Sequence, residues 1–265
     1  MNDSIEQAVL RAIVTMRENL GEALTVDDLA RSAMFSKFHF TRIFQRATGV
    51  TPGRFLSAMR LQRAKQLLVT TELNIAHISA DVGYNSVGTF SSRFSRSVGM
   101  SPTRFRHLAG HATHIATEPG RPMPQPSHAR VYGHAWTHDN DPVLIFVGLF
   151  PERVPEGRPA RCTVVDGAGE YELDAVPPGT WYLLAQAVPS SPDRCEDPEA
   201  TYVCALGPIT VCRDSEIKTD LALNPVRALD PPVLLALLDA RKHALSTMTA
   251  QIVGLDERRR CQRVA

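Results

Sequence analysis

The chain repeats one short segment of its own sequence, and this repeat limits what its first part can fold into. At an offset of 50 residues, seven residues of the first copy recur unchanged in the second. The matching pairs are Phe40/Phe90, Phe44/Phe94, Arg46/Arg96, Gly49/Gly99, Pro52/Pro102, Arg54/Arg104 and Phe55/Phe105. Further upstream the offset becomes 49, because one residue is inserted between the two predicted helices of the second copy. The sequence therefore predicts two copies of one supersecondary unit in tandem.

Charge and proline divide the chain near residue 110. Residues 1–110 carry 14 basic and 8 acidic side chains, whereas residues 111–265 carry 15 and 20, a split that the net charge of +1 hides. Only two of the 19 prolines precede residue 111, and segment 111–128 holds four of them without an apolar period. Such composition is typical of an extended linker. We expect a basic domain at 1–110, a linker at 111–128 and a different, acidic domain after it.

Each copy has the apolar spacing of a short helix, a tight turn and a second helix. The inward positions of the first copy are Val26, Leu29, Ala33, Phe40, Ile43, Phe44 and Ala47, and those of the second are Ile75, Ile78, Val82, Phe90 and Phe94. Helix N-caps are expected at Ser36, at Thr51, at Ser86 or its neighbour Asn85, and at Ser101, and a capping box at Thr25 and Asp28. This order of elements is a helix-turn-helix, whose second helix can enter a DNA major groove.

The segment between the two copies is predicted to form one unbroken helix over residues 52–70. Its apolar positions are Phe55, Met59, Leu61, Ala64, Leu67 and Leu68. Nineteen residues at about 1.5 Å each span roughly 28 Å, and one turn of B-DNA is about 34 Å long. A helix of this length can hold two recognition helices in successive major grooves of one duplex.

These segments resemble the AraC/XylS family of bacterial transcription regulators. The matching pieces are LARSAMFSKFHFTRIFQRATGVTPGRF, RLQRAKQLL and IAHISADVGYNSVGTFSSRFSRSVGMSPTRFR. The resemblance covers about residues 5–107 and implies an all-α, DNA-binding domain that controls transcription. The sequence shows no nucleophile elbow, phosphate-binding loop or HExxH motif, so we expect neither an enzyme nor a cofactor.

Carried over position by position, the resemblance implies two sets of DNA-facing residues. The first set is Ser36, Lys37, Phe38, His39, Thr41, Arg42 and Arg46, and the second is Ser86, Val87, Gly88, Thr89, Ser91, Ser92, Arg93 and Arg96. Of these, Arg46, Arg93 and Arg96 are expected near phosphates. Ordinary interpretations stay open: exposed helix surface for the polar residues, N-capping for Ser36 and Ser86, and packing on the turn for Phe38.

The second recognition helix departs from the family pattern at Val87 and Gly88, where relatives often carry long polar side chains. Glycine and serine offer few bidentate base contacts. We therefore expect the first helix to perform most of the direct readout. The second would add phosphate contacts, a thymine-methyl contact through Val87 and shape fit. The domain order also differs, since most relatives carry this unit at the C-terminus.

From residue 129 the hydrophobic period changes to two, which predicts strands. The seven predicted strands are Arg130–Trp136, Val143–Phe150, Cys162–Val165, Tyr171–Val176, Trp181–Val188, Ile209–Cys212 and Ile217–Leu223. Regular short strands favour a β-sandwich at 129–224. The segment EYELDAVPPGTWYLLA is similar to the VPPGxYxL signature of carboxypeptidase regulatory-like, or prealbumin-like, domains, with Trp181 in the Tyr position. That resemblance implies a structural or binding module.

Residues 225–265 are predicted to form a C-terminal amphipathic helix, starting after Pro231-Pro232, and a basic tail. The apolar stripe of this helix is Leu234, Leu235, Leu238, Leu245 and Met248. Such a helix either packs on the sandwich or pairs with a second copy of the chain. The predicted fold class is thus multidomain α and β: an all-α double helix-turn-helix domain, an all-β sandwich and a C-terminal helix.

Histidine and cysteine pairs have both a functional and an ordinary interpretation. The histidine pairs with metal-ligand spacing are His111/His114 and His134/His138. Strand residues four apart lie roughly 13 Å from each other, too far for one ion, and we expect no metal site. Cys195 and Cys204 are either a redox-switching disulfide or two free thiols, and the free thiols are favoured.

We expect a cytoplasmic regulator, because the first residues lack a basic start followed by an apolar core, and because no apolar stretch approaches 18 residues. The expected partner is double-stranded DNA. Further candidate partners are RNA polymerase, a small-molecule effector and a second copy of the chain, and no membrane is expected among them. A competing hypothesis makes the sandwich a binder of small molecules or carbohydrate and the helical domain a tether. An unbroken apolar cleft would favour that hypothesis, and an interior filled by Phe146, Trp181, Tyr182 and Leu183 would not.

Overall fold

The computed structural model describes residues 3–108, 127–138, 143–189 and 201–234. The first range holds helices α1 (Asp3–Glu18), α2 (Val26–Ser32), α3 (Lys37–Thr48), α4 (Pro52–Thr70), α5 (Ile75–Asp81), α6 (Val87–Val98) and α7 (Pro102–His107). The predicted order is confirmed: α2 with α3 and α5 with α6 form two helix-turn-helix units, joined by α4. Within the described ranges, no helix has the length and hydropathy needed to cross a membrane.

The internal repeat appears in the structure as two copies of one aromatic cluster. The two triads are Phe40, Phe44, Phe55 and Phe90, Phe94, Phe105. Neighbouring ring centroids lie 5.4 Å apart in the first triad, and 5.7 and 5.5 Å apart in the second. One pair in each triad meets edge to face, an arrangement that aromatic rings prefer. The repeated phenylalanines therefore form the core of each unit.

Helix α4 belongs to both of these cores. Leu56 and Met59 of its first half pack into the first unit, while Leu61 and Leu68 of its second half pack into the second. Burial at both ends makes α4 a direct structural link between the two units. Its 19 residues make a rod of about 28 Å.

The helix starts follow the predicted caps only in part. Side-chain capping bonds are formed by Thr25, Ser86 and Ser101, and the capping box between Thr25 and Asp28 is confirmed. Ser36 and Thr51 occupy N-cap positions, but their side chains make no capping bond, so that part of the prediction is wrong. After Thr51, Pro52 stands at the first helical position, where its fixed φ already favours the helix start.

Strands form the second domain. They are β1 (Arg130–Thr137), β2 (Val143–Phe150), β3 (Arg161–Asp166), β4 (Gly169–Leu173), β5 (Gly179–Pro189), β6 (Tyr202–Val211), β7 (Glu216–Lys218) and β8 (Leu221–Pro225). The strand order is β3-β2-β5-β6-β8-β1-β4, with β7 beside β1. Strands β7 and β8 run parallel to β1, and the other pairs are antiparallel. Apolar residues of β2 and β5 share one core with those of β1, β4 and β8, as in the two layers of the predicted sandwich.

The largest errors in the extent of predicted strands concern β6 and the last strand, whereas β4 runs Gly169–Leu173 and ends three residues before the predicted Val176. Strand β6 begins at Tyr202 and not at Ile209, because its first half pairs with β5. Gly207-Pro208 is a pair of residues that usually ends a strand. Here it lies at a register shift between β6 and β5, and irregular positions of this kind tolerate proline. The predicted last strand is divided into β7 and β8 near Thr219, although both keep one register with β1.

The Pro-Pro-Gly segment leads from the β4–β5 connection into the start of β5. Trp181 Nε1 donates a hydrogen bond of 2.8 Å to the Pro177 carbonyl across it. Leu183 is fully buried in the sandwich core and Trp181 packs partly against that core. The interior of the sandwich is thus filled by its own side chains. Phe146 is buried too, but in a separate cluster on the other face of β2.

Strand β2 is buried on both faces, which simple alternation does not predict. All eight of its residues are buried. Ile145 faces the sandwich core, whereas Phe146 and Phe150 form the separate cluster with Leu184. Val233, from the chain after β8, packs against that cluster. The outer face of β2 is therefore an internal interface of the protein.

The start of the predicted C-terminal helix is not helical. Residues 231–234 have no regular secondary structure, and Pro231-Pro232 disfavour a helical conformation before them. Leu234, which was expected on the apolar stripe of that helix, is instead fully buried with the core of the second helix-turn-helix unit. The rest of this helix, the linker up to residue 126 and Cys195 lie outside the described residues.

Candidate nucleic-acid interface

The outward face of α3 carries polar and cationic side chains, while its inward face holds Phe40 and Phe44 in the core. The residues that line a shallow surface groove of about 550 Å³ on this outward face are Lys37, Phe38, Thr41, Arg42, Gln45 and Arg46. All of them except the half-buried Thr41 are exposed. The structure thus brings together on one surface five residues of the first predicted DNA-facing set and adds Gln45.

Two large apolar side chains are exposed next to these cations. Phe38 is 88% exposed and Met34 is 84% exposed. Met34 lies in the turn before α3 with a φ of 64°, and sequence reasoning missed it. The available signal was an apolar residue in the turn between two amphipathic helices. Exposed apolar groups on such a surface suit contact with thymine methyl groups.

Short contacts position the polar side chains of α3. Lys37 Nζ lies 2.7 Å from the Asp27 carboxylate, and both side chains are about half exposed. An exposed pair of this kind contributes at most about 1 kcal/mol, so a phosphate can replace it. Arg42 lies 3.3 Å from Nδ1 of His39. Its guanidinium has five N–H donors, which leaves capacity for a bidentate contact with a base.

Helix α6 presents smaller side chains than α3. Exposed positions of the second predicted set are Ser86, Val87, Gly88, Thr89, Ser92 and Arg96, and half-buried ones are Ser91 and Arg93. The Ser86 hydroxyl accepts a hydrogen bond of 3.1 Å from the Thr89 backbone N–H. It also donates a hydrogen bond of 3.1 Å to the Thr89 side-chain hydroxyl. Both hydroxyls are therefore engaged locally. Long donors on this face are confined to the two arginines.

Several basic residues of the first domain serve its structure. Arg60 donates from Nε to the Leu20 carbonyl at 2.9 Å, and Arg106 donates from Nε to the Leu68 carbonyl at 3.2 Å. These bonds satisfy carbonyl groups near helix ends. Burial lowers the pKa of Lys65 to about 8. The excess of basic residues between positions 31 and 106 therefore overstates the positive charge that faces solvent beside the recognition helices.

The described part of the second domain leaves both recognition faces open. Arg42 on α3 and Ser92 on α6 are exposed. The sandwich instead approaches these helices at their C-terminal ends, near Gly49 and Ser97. A duplex can thus approach both outward faces while the sandwich stays docked.

Within the part of the chain that the structure describes, the histidine and cysteine patterns bring no further site together. His134 and His138 are both exposed. In the ranges that the structure describes, no three His, Cys, Asp or Glu side chains converge on a possible ion. Cys204 on β6 is half-buried, and burial raises the pKa of its thiol. His111, His114 and Cys195 lie outside the described residues.

Comparison with known proteins places the double helix-turn-helix among bacterial regulators. A family model described as a helix-turn-helix domain matches residues 29–107. The transcriptional activator AarP of Providencia stuartii is 30% identical over 94 residues, which are 36% of this chain and 70% of that protein. The melibiose operon regulatory protein of Escherichia coli K12 is 35% identical over 92 residues, 35% of this chain and 30% of that protein.

A further relative is the lactose operon transcription activator of Staphylococcus xylosus, 30% identical over 105 residues, 40% of this chain and 38% of that protein. The chain thus spans about a third of the length of the two operon regulators. Among solved structures, an AraC-type regulator from Chromobacterium violaceum is 28% identical with a TM-score of 0.39, covering 45% of this chain and all of that one. On its similarity to AarP over most of that protein, together with the family match, this chain belongs to the AraC/XylS family of transcription regulators.

Proposed function

We propose that the protein is a sequence-specific, DNA-binding transcription regulator whose recognition helices α3 and α6 read successive major grooves. One observation carries this proposal. Two outward helix faces of the same kind, one in each repeat, are held on the rod α4 and stay exposed while the sandwich docks elsewhere. The relatives described above are themselves named as activators and operon regulators.

Helix α3 performs most of the base readout in this proposal. Arg42 has free donors for a guanine edge, and Thr41 and His39 flank it. Phe38 and Met34 supply apolar contact to thymine methyl groups. Helix α6 contributes Val87 in the same way, with Arg93 and Arg96 near phosphates. The remaining positions, Ser36, Lys37, Arg46, Ser86, Gly88, Thr89, Ser91 and Ser92, complete the proposed contact surface.

The sandwich acts by contact with other parts of the protein or with a partner. Its core is filled by its own residues, which disfavours the hypothesis of a ligand-binding sandwich tethered by helices. RNA polymerase, a small-molecule effector and a second copy of the chain are its candidate partners. A protein that binds chromosomal DNA acts in the cytoplasm of a bacterium.

Salt dependence tests the proposed function. The full chain is used to enrich duplexes from a random library, and the affinity of an enriched duplex is measured by fluorescence anisotropy. With about six phosphate contacts, affinity falls about 10³-fold between about 50 and 200 mM salt, a log–log slope near −5. This loss arises because each contact releases a bound counterion. Binding that does not change with salt contradicts the proposal.

Two arginine variants show whether the slope comes from the proposed surface. Arg46→Ala removes an exposed cation of α3 and reduces the slope by about 1. Arg17→Ala removes an exposed cation from the last turn of α1 and leaves the slope unchanged. If Arg46→Ala and Arg17→Ala have the same slope of log affinity against log salt, the phosphate contacts do not lie on the outward face of α3.

A further inference from the structure

The sandwich is joined to both helix-turn-helix units by two short segments. The first is the loop between β2 and β3, residues 151–157, which we call the brace loop. The second is the chain after β8, residues 226–234, which we call the strap. The Ala160 N–H donates to the Leu149 carbonyl at 2.8 Å and closes the base of the brace loop on β2.

The brace loop enters the first helix-turn-helix unit beside the C-terminal end of α3. Val154 is 1% exposed and belongs to the core of that unit. Arg153 lies directly against Gly49, where a side chain would clash with it. Arg54, at the start of α4, lies 2.9 Å from Glu152 and 3.9 Å from Glu156. One apolar anchor and a pair of carboxylates therefore hold the loop on this unit.

The same loop reaches the C-terminal end of α6 in the second unit. The Gly157 N–H donates to the Ser97 carbonyl at 3.4 Å. Gly157 has a φ of +77°, and a Cβ there would lie 3.2 Å from the Arg96 carbonyl oxygen. Arg153 and Gly157 are only four positions apart in the sequence, which is at most about 14 Å of extended chain. The loop thus bridges equivalent ends of the two recognition helices.

The strap repeats this double attachment with apolar side chains. Leu229 packs into the core of the first unit and Leu234 into that of the second. Between them, Val233 covers Phe146 and Phe150 on the outer face of β2. One short segment therefore contacts both units and the sandwich.

These links differ from the other contacts between the two units. Helix α4 sets their separation, and the chain around Gly21 lies close to Asp81 at the end of α5. Neither contact involves the C-terminal end of a recognition helix. A long helix can bend, so a rod alone sets the distance between two faces better than their relative angle. A second link at the helix ends fixes that angle.

We propose that the brace loop and the strap fix the orientation of α6 relative to α3, so that Glu152, Glu156 and Gly157 are positioning residues that set the accepted spacing between two DNA half-sites. This inference rests on the proposed function. Holding the two helices in place before binding lowers the ordering cost of engaging both half-sites. It also penalises a duplex in which one half-site is rotated away.

The test varies the spacing in an enriched duplex that contains two half-sites. One or two base pairs are inserted between the half-sites, each rotating one of them by about 35°. The full chain is compared with the double variant Glu152→Lys/Glu156→Lys, which replaces attraction to Arg54 by repulsion. We expect the wild type to lose about 20-fold in affinity with two inserted base pairs. The double variant loses less than about 3-fold on the same insertion, and binds the original spacing about 5- to 10-fold more weakly than the wild type.

Three further variants separate positioning from charge and folding. Glu170→Lys/Asp174→Lys changes the charge equally at exposed positions at and after β4 and keeps the wild-type spacing penalty. Adding Arg54→Glu to Glu152→Lys/Glu156→Lys restores opposite charges between the loop and α4, and this triple variant regains the wild-type spacing penalty. Gly157→Ala, which pushes the loop from α6 without a charge change, reduces the penalty as the double variant does.

The outcomes distinguish this inference from the proposed function. If Glu152→Lys/Glu156→Lys and Gly157→Ala both show the same spacing penalty as the wild type, the inference is overturned while DNA recognition stands. A wild type without any spacing preference also overturns the inference, and it contradicts the reading of successive grooves by one chain as well, while sequence-specific DNA binding stands. If the wild type enriches no DNA sequence, the proposed function itself fails. If thermal melting shows that Glu152→Lys/Glu156→Lys is unfolded, the spacing penalties of Gly157→Ala and of the triple variant with Arg54→Glu decide the question.

Discussion

Replacing Phe94 by alanine is expected to lower the free energy of unfolding of the helical domain by about 3–5 kcal/mol. Phe94 is fully buried and its ring contacts both Phe90 and Phe105. Its removal leaves a cavity in the core that α4, α6 and α7 share. Since a small domain is stable by only about 5–15 kcal/mol, this loss is a large part of its stability. Urea unfolding of the full chain, followed by helical circular dichroism, measures the change.

Two other phenylalanines provide the comparison. Phe44→Ala removes the equivalent ring of the first unit and is expected to cost as much. Phe38→Ala removes a ring that is 88% exposed and changes stability by no more than about 0.5 kcal/mol. A large loss from Phe38→Ala, or a small one from Phe94→Ala, would show that the two faces of the helices have been assigned the wrong way round.

Arg42→Ala is expected to weaken binding to an enriched duplex by about 10- to 100-fold. The reason is that a bidentate arginine–guanine contact contributes about 1–3 kcal/mol of base discrimination. The variant should also tolerate any base at one position of the first half-site, because the donors that read it are gone. Competition binding with duplexes substituted at each position of the half-site measures both effects.

The control for Arg42 is Arg11→Ala, which removes an exposed cation from α1 and should leave base preference unchanged. Binding to a duplex of unrelated sequence should fall only slightly in either variant. If Arg42→Ala weakens binding to unrelated and enriched duplexes equally, the guanidinium contacts a phosphate and reads no base.

The helical domain could be predicted from the sequence because its signals are local. The repeated phenylalanines recur at helical spacing, and glycine follows both recognition helices in the left-handed conformation. Helix α4 has the predicted bounds for the same reason: Pro52 fixes its start and apolar residues continue to Leu68. Local periodicity is a direct consequence of which helix face is buried.

The brace loop and the strap could not be predicted, because their contacts are long-range. The sequence PERVPEG has the composition of a loop, and nothing near Val154 indicates burial in another domain. Leu234 matched a helical stripe, yet tertiary packing placed it in the second unit. Likewise, the hydrogen bond from Arg60 to the Leu20 carbonyl joins residues 40 positions apart in the chain.

The extent of β6 was missed for a related reason. Pairing of its first half depends on Ala187 and neighbouring residues of β5, across a long connection. The exposure of the candidate site residues on α3 and α6 was easier to predict, because the polar face of an amphipathic surface helix points to solvent. The exposure of Met34 was not predicted, because a turn has no hydrophobic periodicity. The backbone conformation of this turn depends on how α2 and α3 pack against each other.

The spacing of the DNA sites that the protein selects tests the central claim most directly. The full chain is used to enrich duplexes from a random library, and the enriched pool is sequenced. Two recognition helices on one rod predict two fixed sequence blocks with centres about 10–10.5 base pairs apart, on one face of the duplex. The block read by α3 should be the more strictly defined. A single block, or two blocks at variable spacing, would contradict simultaneous reading of successive grooves by one chain.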